Sequence, residues 1–210
     1  MPKLKDFGLY FITDSKLTKK TIIDDVKSAI KSGVKIIQYR EKEASAEQML
    51  EEAKEIKKLC QKNSVIFIVN DRIDIALAAD ADGVHLGQND ARCETARKLL
   101  GKNKIIGLTA HNVKESVEAE KIGADYIGLS PIFPTSTKAD AGKACGTEMI
   151  TQVKKYVKIP IVALGGINES NIGQALKAGA KNIAIISAIL AKDSVGQAVK
   201  KFIERIRSCK

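Results

Sequence analysis

The sequence predicts a closed parallel (β/α)8 barrel, the TIM-barrel fold, and three observations point there. Eight short runs rich in β-branched residues recur along the 210 residues, amphipathic stretches separate them, and polar residues gather where the runs end. Short apolar runs alternating with helical patterns are the mark of repeated βα units, and eight such units in one short chain close into a barrel. An open doubly wound sheet is the alternative. Against it, no Gly-x-Gly-x-x-Gly follows the first run, where a dinucleotide fold would place it.

The expected strands are GLYFITD (8–14), VKIIQYRE (34–41), VIFIVND (65–71), GVHLGQ (83–88), IIGLTAH (105–111), YIGLSPIF (126–133), IPIVALGG (159–166) and NIAIISAI (182–189). Thr21–Ser32, Ala46–Gln61, Val113–Ile122 and Glu169–Ala178 carry apolar residues at helical spacing. Several strands share a lead-in with glycine at a helix end, at Gly33, Gly83, Gly123 and Gly179. Glycine there supplies the left-handed cap that returns the chain to the sheet. One interval breaks the rhythm: residues 134–146, PTSTKADAGKACG, have no hydrophobic periodicity and suit a functional loop at the barrel mouth. The expected organisation is one catalytic barrel domain over residues 1–210.

Composition narrows the function. Hydrophobic residues at 44% and charged residues at 29% argue for a packed core rather than disorder. With no Trp and few aromatics, that core must be built from aliphatic side chains, as in a sheet buried on both faces. No apolar run reaches the roughly 20 residues that span a bilayer, and the Gly8–Thr13 stretch is too short for a signal peptide, so a cytoplasmic location without membrane partners is expected. The four cysteines, Cys60, Cys93, Cys145 and Cys209, lack metal-ligand or redox spacing and read as reduced thiols. The net charge of +10 raises nucleic acid as a partner, but the lysines are mixed with glutamates, as in Glu47–Lys58, and no aromatics interleave with them. An anionic small-molecule substrate fits better. The sequence leaves the oligomeric state open, a homo-oligomer included.

In a barrel all strand C-termini meet at one mouth. Strand two ends in Gln38-Tyr39-Arg40-Glu41-Lys42, where alternation points Gln38, Arg40 and Lys42 one way and Tyr39 and Glu41 the other. An amide and two cations directed inward make an anion site. Strand three ends in Asn70-Asp71 and strand four leads to Asp90. Two carboxylates without histidine suit a hard cation such as Mg2+. A helix cap for the stretch Ile73–Ala79 is the competing role for Asp71, and a cap or salt bridge for Asp90. Gly165-Gly166 and Ile186-Ser187 stand where barrels bind phosphate, although a tight turn would also use the glycines. Thr109 and His111 end strand five; His85 lies in mid-strand and reads as structural; neither histidine is assigned a catalytic role.

Taken in order, LYFITD, QYREK, VNDRIDIALAADADGVHLGQND, IGLTAH, ADYIGLSPIFPTSTK, IPIVALGGI and IISAI, from Leu9 to Ile189, closely resemble the thiamine phosphate synthase family. The resemblance implies a transferase of thiamine biosynthesis with Mg2+ as cofactor. Such an enzyme joins 4-amino-5-hydroxymethyl-2-methylpyrimidine pyrophosphate to hydroxyethylthiazole phosphate, releasing pyrophosphate. By motif match, Gln38, Tyr39, Arg40, Glu41, Lys42, Asn70, Thr109 and Lys138 bind the pyrimidine pyrophosphate, and Asp71 and Asp90 bind Mg2+. Thr135, Ser136, Thr137, Gly166, Ile186 and Ser187 bind the thiazole phosphate. Thr109 departs from the serine usual in the family but keeps the hydroxyl. The competing readings are a thiazole tautomerase-like isomerase, which has no use for a pyrophosphate cage, and a noncatalytic phosphate-binding barrel.

Overall fold

The computed structural model describes residue 4, residues 6–137 and residues 142–209. Its strands are β1 (Leu9–Ile12), β2 (Ile36–Tyr39), β3 (Ile66–Asn70), β4 (Gly83–Leu86), β5 (Ile105–Ala110), β6 (Tyr126–Leu129), β7 (Ile161–Ala163) and β8 (Asn182–Ile185). All neighbours pair in parallel and β1 pairs with β8, so the sheet closes in the order β1 to β8. The predicted barrel is the observed one.

The helices are α1 (Ile22–Lys31), α2 (Ala46–Lys62), α3 (Ile73–Ala78), α4 (Cys93–Leu100), α5 (Val113–Lys121), α6 (Glu148–Val153), α7 (Ile172–Lys177), α8 (Ser187–Leu190) and α9 (Val195–Arg207). Thr21, Ser45, Asn112 and Ser194 precede α1, α2, α5 and α9, and each side chain accepts a backbone N–H of the first turn. Such caps contribute about 1 kcal/mol each. The strands are shorter than the apolar runs suggest. In the last run the ladder ends at Ile185, and Ser187–Leu190 winds into the short α8 instead.

Alternation along the strands divides the interior into two layers. Leu9, Phe11, Ile37, Phe67, Val69 and Ile127 face outward and pack under the helices. Tyr10, Ile12, Ile36, Ile68, Ile105, Tyr126, Val162 and Ala184 fill the barrel itself. The inner set continues upward on the same parity into Gln38, Asn70, Thr109 and Gly128, which line the cavity at the C-terminal mouth. The core thus sets the direction of every polar side chain above it.

The shared lead-in does not have one explanation. Gly33, Gly123 and Gly179 adopt the expected left-handed backbone. Gly83 does not: Asp80 supplies the left-handed turn after α3, and Gly83 is already the first residue of β4. It is small for another reason, because a Cβ there would lie 2.1 Å from the Ile105 carbonyl oxygen. Gly83→Ala should therefore destabilise the fold by about 1–3 kcal/mol through overpacking against β5, read as a lower urea midpoint with an unchanged m-value; an unchanged midpoint would contradict this reason for the glycine.

Candidate active site

The mouth of the barrel holds a cavity to which β1 through β8 all contribute. Its apolar wall includes Ile12, Val162, Leu164 and Ile167, and its polar side is made by the strand ends. Arg40 leaves β2 on the inward parity and forms an ion pair with Asp14 at the end of β1, both side chains being largely buried. Asp14 also accepts the Lys16 N–H at 3.0 Å, so one carboxylate fixes both the guanidinium and the loop beside it. Two positions on, Lys42 reaches across to Asp71, with Nζ 2.5 Å from Oδ2.

Asp71 has a left-handed backbone, φ 60°, at the point where the chain leaves β3. That conformation is uncommon for a residue with a side chain, though Asp and Asn adopt it more readily than most. It is held by the Asp71 N–H, which donates to the His85 carbonyl at 2.8 Å. The N-cap position of α3 falls on Arg72, without a side-chain cap bond, so the capping role considered for Asp71 is not the one it plays. Its carboxyl meets Asp90, whose Oδ2 accepts the Gly87 N–H at 2.6 Å. The Asp90 pKa is raised by burial and by the carboxyl and charge of Asp71, while the Gly87 N–H and Lys42 oppose the rise. Two acids crowded together with a lysine beside them form a set that a divalent cation would balance. Among the described residues there is no group of three or more His, Cys, Asp or Glu placed to hold a metal. A two-carboxylate site therefore fits a cation that keeps several waters, as Mg2+ does.

The opposite side of the cavity is built from β6, β7 and β8. The chain after β6 lies along the end of β7, with the Ile132 N–H donating to the Leu164 carbonyl at 2.9 Å and the Phe133 N–H to the Gly165 carbonyl at 3.0 Å. Gly166 makes this possible, since a Cβ would stand 2.4 Å from the Pro134 carbonyl oxygen. Thr135 and Thr137 then reach the cavity beside Gly166, Ile186 and Ser187. The Thr137 hydroxyl donates to the Ser187 hydroxyl at 3.3 Å, tying this loop to the start of α8. Ser136 faces the adjoining cleft together with Arg40, Lys42 and Asp14.

Gln38, Arg40, Lys42, Asn70, Thr109 and Asp71 thus share one cavity with Thr135, Thr137, Gly166, Ile186 and Ser187, while Ser136 lines the adjoining cleft and Asp90 stands behind Asp71. Tyr39 and Glu41 do not line it. Tyr39 is fully buried on the outer face of β2, its hydroxyl donating to Glu52 of α2 at 2.8 Å. Glu41 folds back to accept the N–H groups of Lys42, Glu43 and Ala44. Burial pushes the Glu41 pKa up, but hydrogen bonds from Ser15 and these amides outweigh it and hold the carboxylate charged. Both positions follow from the odd parity of the strand. Lys138 lies outside the described residues. His111 lines the cavity and is paired with Glu115, Nδ1 to Oε2 2.7 Å. Sequence reasoning missed Asp14, Tyr10 and Tyr126, and assigned His85 no part in the site, although all three bulky rings face the cavity. Asp14 ends β1 as Asp71 follows β3, and the alternation of β1 and β6 points both tyrosines inward, so each carried a readable signal.

The model for thiamine monophosphate synthase matches residues 9–189. The chain belongs to that family. It is 52% identical to the thiamine-phosphate synthase of Methanosarcina mazei over 207 residues, covering 99% of this chain and 86% of the relative. It is 48% identical to that of Persephonella marina, covering 97% and 95% respectively. Among solved structures, the thiamine phosphate pyrophosphorylase of Pyrococcus furiosus superposes with a TM-score of 0.90 at 39% identity, covering 97% of both chains. The matched region contains every strand and all the cavity-lining positions named above.

Replacing Asp71 by Asn, which keeps the left-handed backbone accessible, should lower the Asp90 pKa, because the neighbouring acid is one source of the rise. Burial persists, so the value should stay above that of an exposed aspartate. A carboxyl-carbon NMR titration of Asp90 reads this directly, and an unmoved pKa would show that the two acids do not interact.

Proposed function

We propose that the cavity carries out the synthase reaction by a division of labour between its two sides. The enzyme joins 4-amino-5-hydroxymethyl-2-methylpyrimidine pyrophosphate to hydroxyethylthiazole phosphate, giving thiamine phosphate and pyrophosphate. The observation that carries this reading is the convergence of Arg40, Lys42 and Asp71, with Asp90 against Asp71, at one mouth. Asp71 and Asp90 would hold Mg2+, which when bound supplies positive charge to pyrophosphate oxygens.

Gln38, Arg40, Lys42, Asn70 and Thr109 bind the pyrimidine pyrophosphate. Arg40, pre-oriented by Asp14, takes phosphate oxygens with a fixed fork of donors, and Lys42 turns from Asp71 to the incoming diphosphate. As the bond between methylene carbon and pyrophosphate oxygen breaks, negative charge builds on the leaving group next to these cations, which stabilise it most where water is excluded. Ile12, Val162, Leu164 and Ile167 keep water from the positively charged carbon left behind.

Thr135, Ser136, Thr137, Gly166, Ile186 and Ser187 anchor the thiazole phosphate, with the backbone at the start of α8 offering further N–H donors. Held there, the thiazole nitrogen forms the new bond to the methylene carbon, and proximity takes the place of a protein nucleophile. The thiols agree: burial pushes Cys60 up to about 12 and raises Cys93 and Cys145, so all three stay protonated.

Mixing the two precursors with Mg2+ should release pyrophosphate and form thiamine phosphate. An isomerase would instead act on the thiazole phosphate alone, and a binding barrel would yield no product. Asp71→Asn should lower the Mg2+-dependent rate by at least the roughly 10–100-fold that losing an outer-shell partner of a metal ligand typically costs; unchanged turnover would remove the metal assignment. Thr137→Val should raise the Kd for thiazole phosphate by calorimetry and leave that for the pyrimidine pyrophosphate unaltered, and equal weakening of both would contradict the two-sided division.

A further inference from the structure

The chemistry above leaves three buried polar side chains, Tyr10, His85 and Tyr126, without a role. Tyr10, Gln38, His85, Thr109 and Tyr126 project inward from β1, β2, β4, β5 and β6 and form a continuous chain of hydrogen bonds lining the cavity. Gln38 Nε2 donates to the Tyr10 hydroxyl at 3.0 Å. The Tyr10 and Tyr126 hydroxyls are 2.9 Å apart. Tyr126 is 3.0 Å from His85 Nδ1, and His85 Nε2 is 3.0 Å from the Thr109 hydroxyl. Two glycines make room for this chain. A Cβ on Gly107 would lie 2.1 Å from the Tyr126 ring, and one on Gly128 would lie 2.9 Å from the His85 ring. His85 stacks on Tyr126 with ring centres 5.5 Å apart.

The polarity of the chain follows from its first member, because an amide nitrogen donates and does not accept. The Tyr10 hydroxyl accepts from Gln38 and is buried, so its own proton needs an acceptor, and among the described residues the Tyr126 hydroxyl is the one in reach. Tyr126 then gives its proton to His85 Nδ1, which must be unprotonated. The imidazole proton is thereby on Nε2 and is donated to Thr109. Thr109, already accepting, has its hydroxyl proton left to give to the cavity. Burial raises the pKa of both tyrosines, so each keeps the phenolic proton that the sequence of bonds requires.

We propose that this relay fixes His85 as the neutral Nε2–H tautomer and aims the Thr109 hydroxyl as a donor at an acceptor atom of the pyrimidine pyrophosphate. Tyr10, Tyr126 and His85 are then positioning residues, acting on substrate only through Thr109 and Gln38. The ligand in this inference rests on the function proposed above; the tautomer and the bond directions rest on the protein alone.

Nitrogen-15 NMR of the labelled protein reads the tautomer, and His85→Gln assigns the signals because the chain has only two histidines. Wild-type protein should show Nε2 protonated and Nδ1 bare, and Tyr126→Phe should lose that preference. Tyr126→Phe and Thr109→Val should each lower kcat/KM for the pyrimidine pyrophosphate roughly 10–100-fold, the loss expected for one hydrogen bond to a charged ligand. Thr109→Ser, which keeps the hydroxyl, should recover most of what Thr109→Val loses. The double variant should be no worse than the weaker single one, since both changes remove the same bond. Thiazole phosphate binding by calorimetry certifies a folded site, and Tyr10→Phe, which breaks the chain one step earlier, serves if Tyr126→Phe does not fold. A wild-type Nδ1–H tautomer in active enzyme, or losses that multiply in the double variant, would overturn the relay. A wild-type protein that makes no thiamine phosphate would instead overturn the proposed function.

Discussion

Closure of the parallel ladder, with β1 hydrogen-bonded to β8, is the constraint from which the rest of this molecule follows. A closed sheet has an inside, and strand alternation decides which residues are in it. Below the mouth the inward positions are mostly apolar and fill the barrel; at the mouth the same positions become Gln38, Arg40, Asn70 and Thr109. Core and site are successive levels of one column of side chains. This is why strand-end residues far apart in the chain meet in one small volume.

Charge balance is the second organising feature. Arg40 is held by Asp14, and Lys42 by Asp71, so the cations are compensated before any ligand arrives. The two pairs differ in how far water reaches them. Arg40 and Asp14 are both largely buried, which suits a fixed docking point, whereas Lys42 is about half exposed and can exchange partners at small cost. Among the described residues Asp90 forms no ion pair and sits against a second acid in a partly buried place, with Lys42 near enough to oppose the rise in its pKa. Among the described residues the mouth thus combines a buried cation, a more exposed one and a pair of neighbouring acids, and the proposed binding of a metal-bound diphosphate rests on that combination.

The architecture was legible in the sequence because a barrel strand declares itself twice, by its apolar run and by the polar residue that ends it. The candidate site was legible for the same reason where a charged residue stood on the inward parity, as with Arg40 and Lys42, whereas Asp71, one position past inward-facing Asn70, reaches the cavity through its left-handed backbone. Legibility failed in three physical situations. Tyr39 and Glu41 share a motif with site residues but face the helix side, where burial and backbone amides claim them. Gly83 carries the same local pattern as true helix-cap glycines, yet its size answers to a cross-strand carbonyl that no local pattern contains. Tyr10, Tyr126 and His85 look like ordinary core residues one at a time, and only their pairing across neighbouring strands gives them a polar role.

The parity of β2 has a consequence for how this chain can change over evolutionary time. Core-facing Ile36, cavity-facing Gln38 and Arg40, and outward Ile37 and Tyr39 are read from one uninterrupted ribbon. Deleting or inserting a single residue there would exchange the two faces, carrying Glu41 toward the opening and Arg40 toward the helices. A barrel of similar hydrophobicity would survive with an acidic lip in place of a basic one. Substitution is open to this segment, but length variation is not, and new specificities in such barrels have to be sought in the connecting loops.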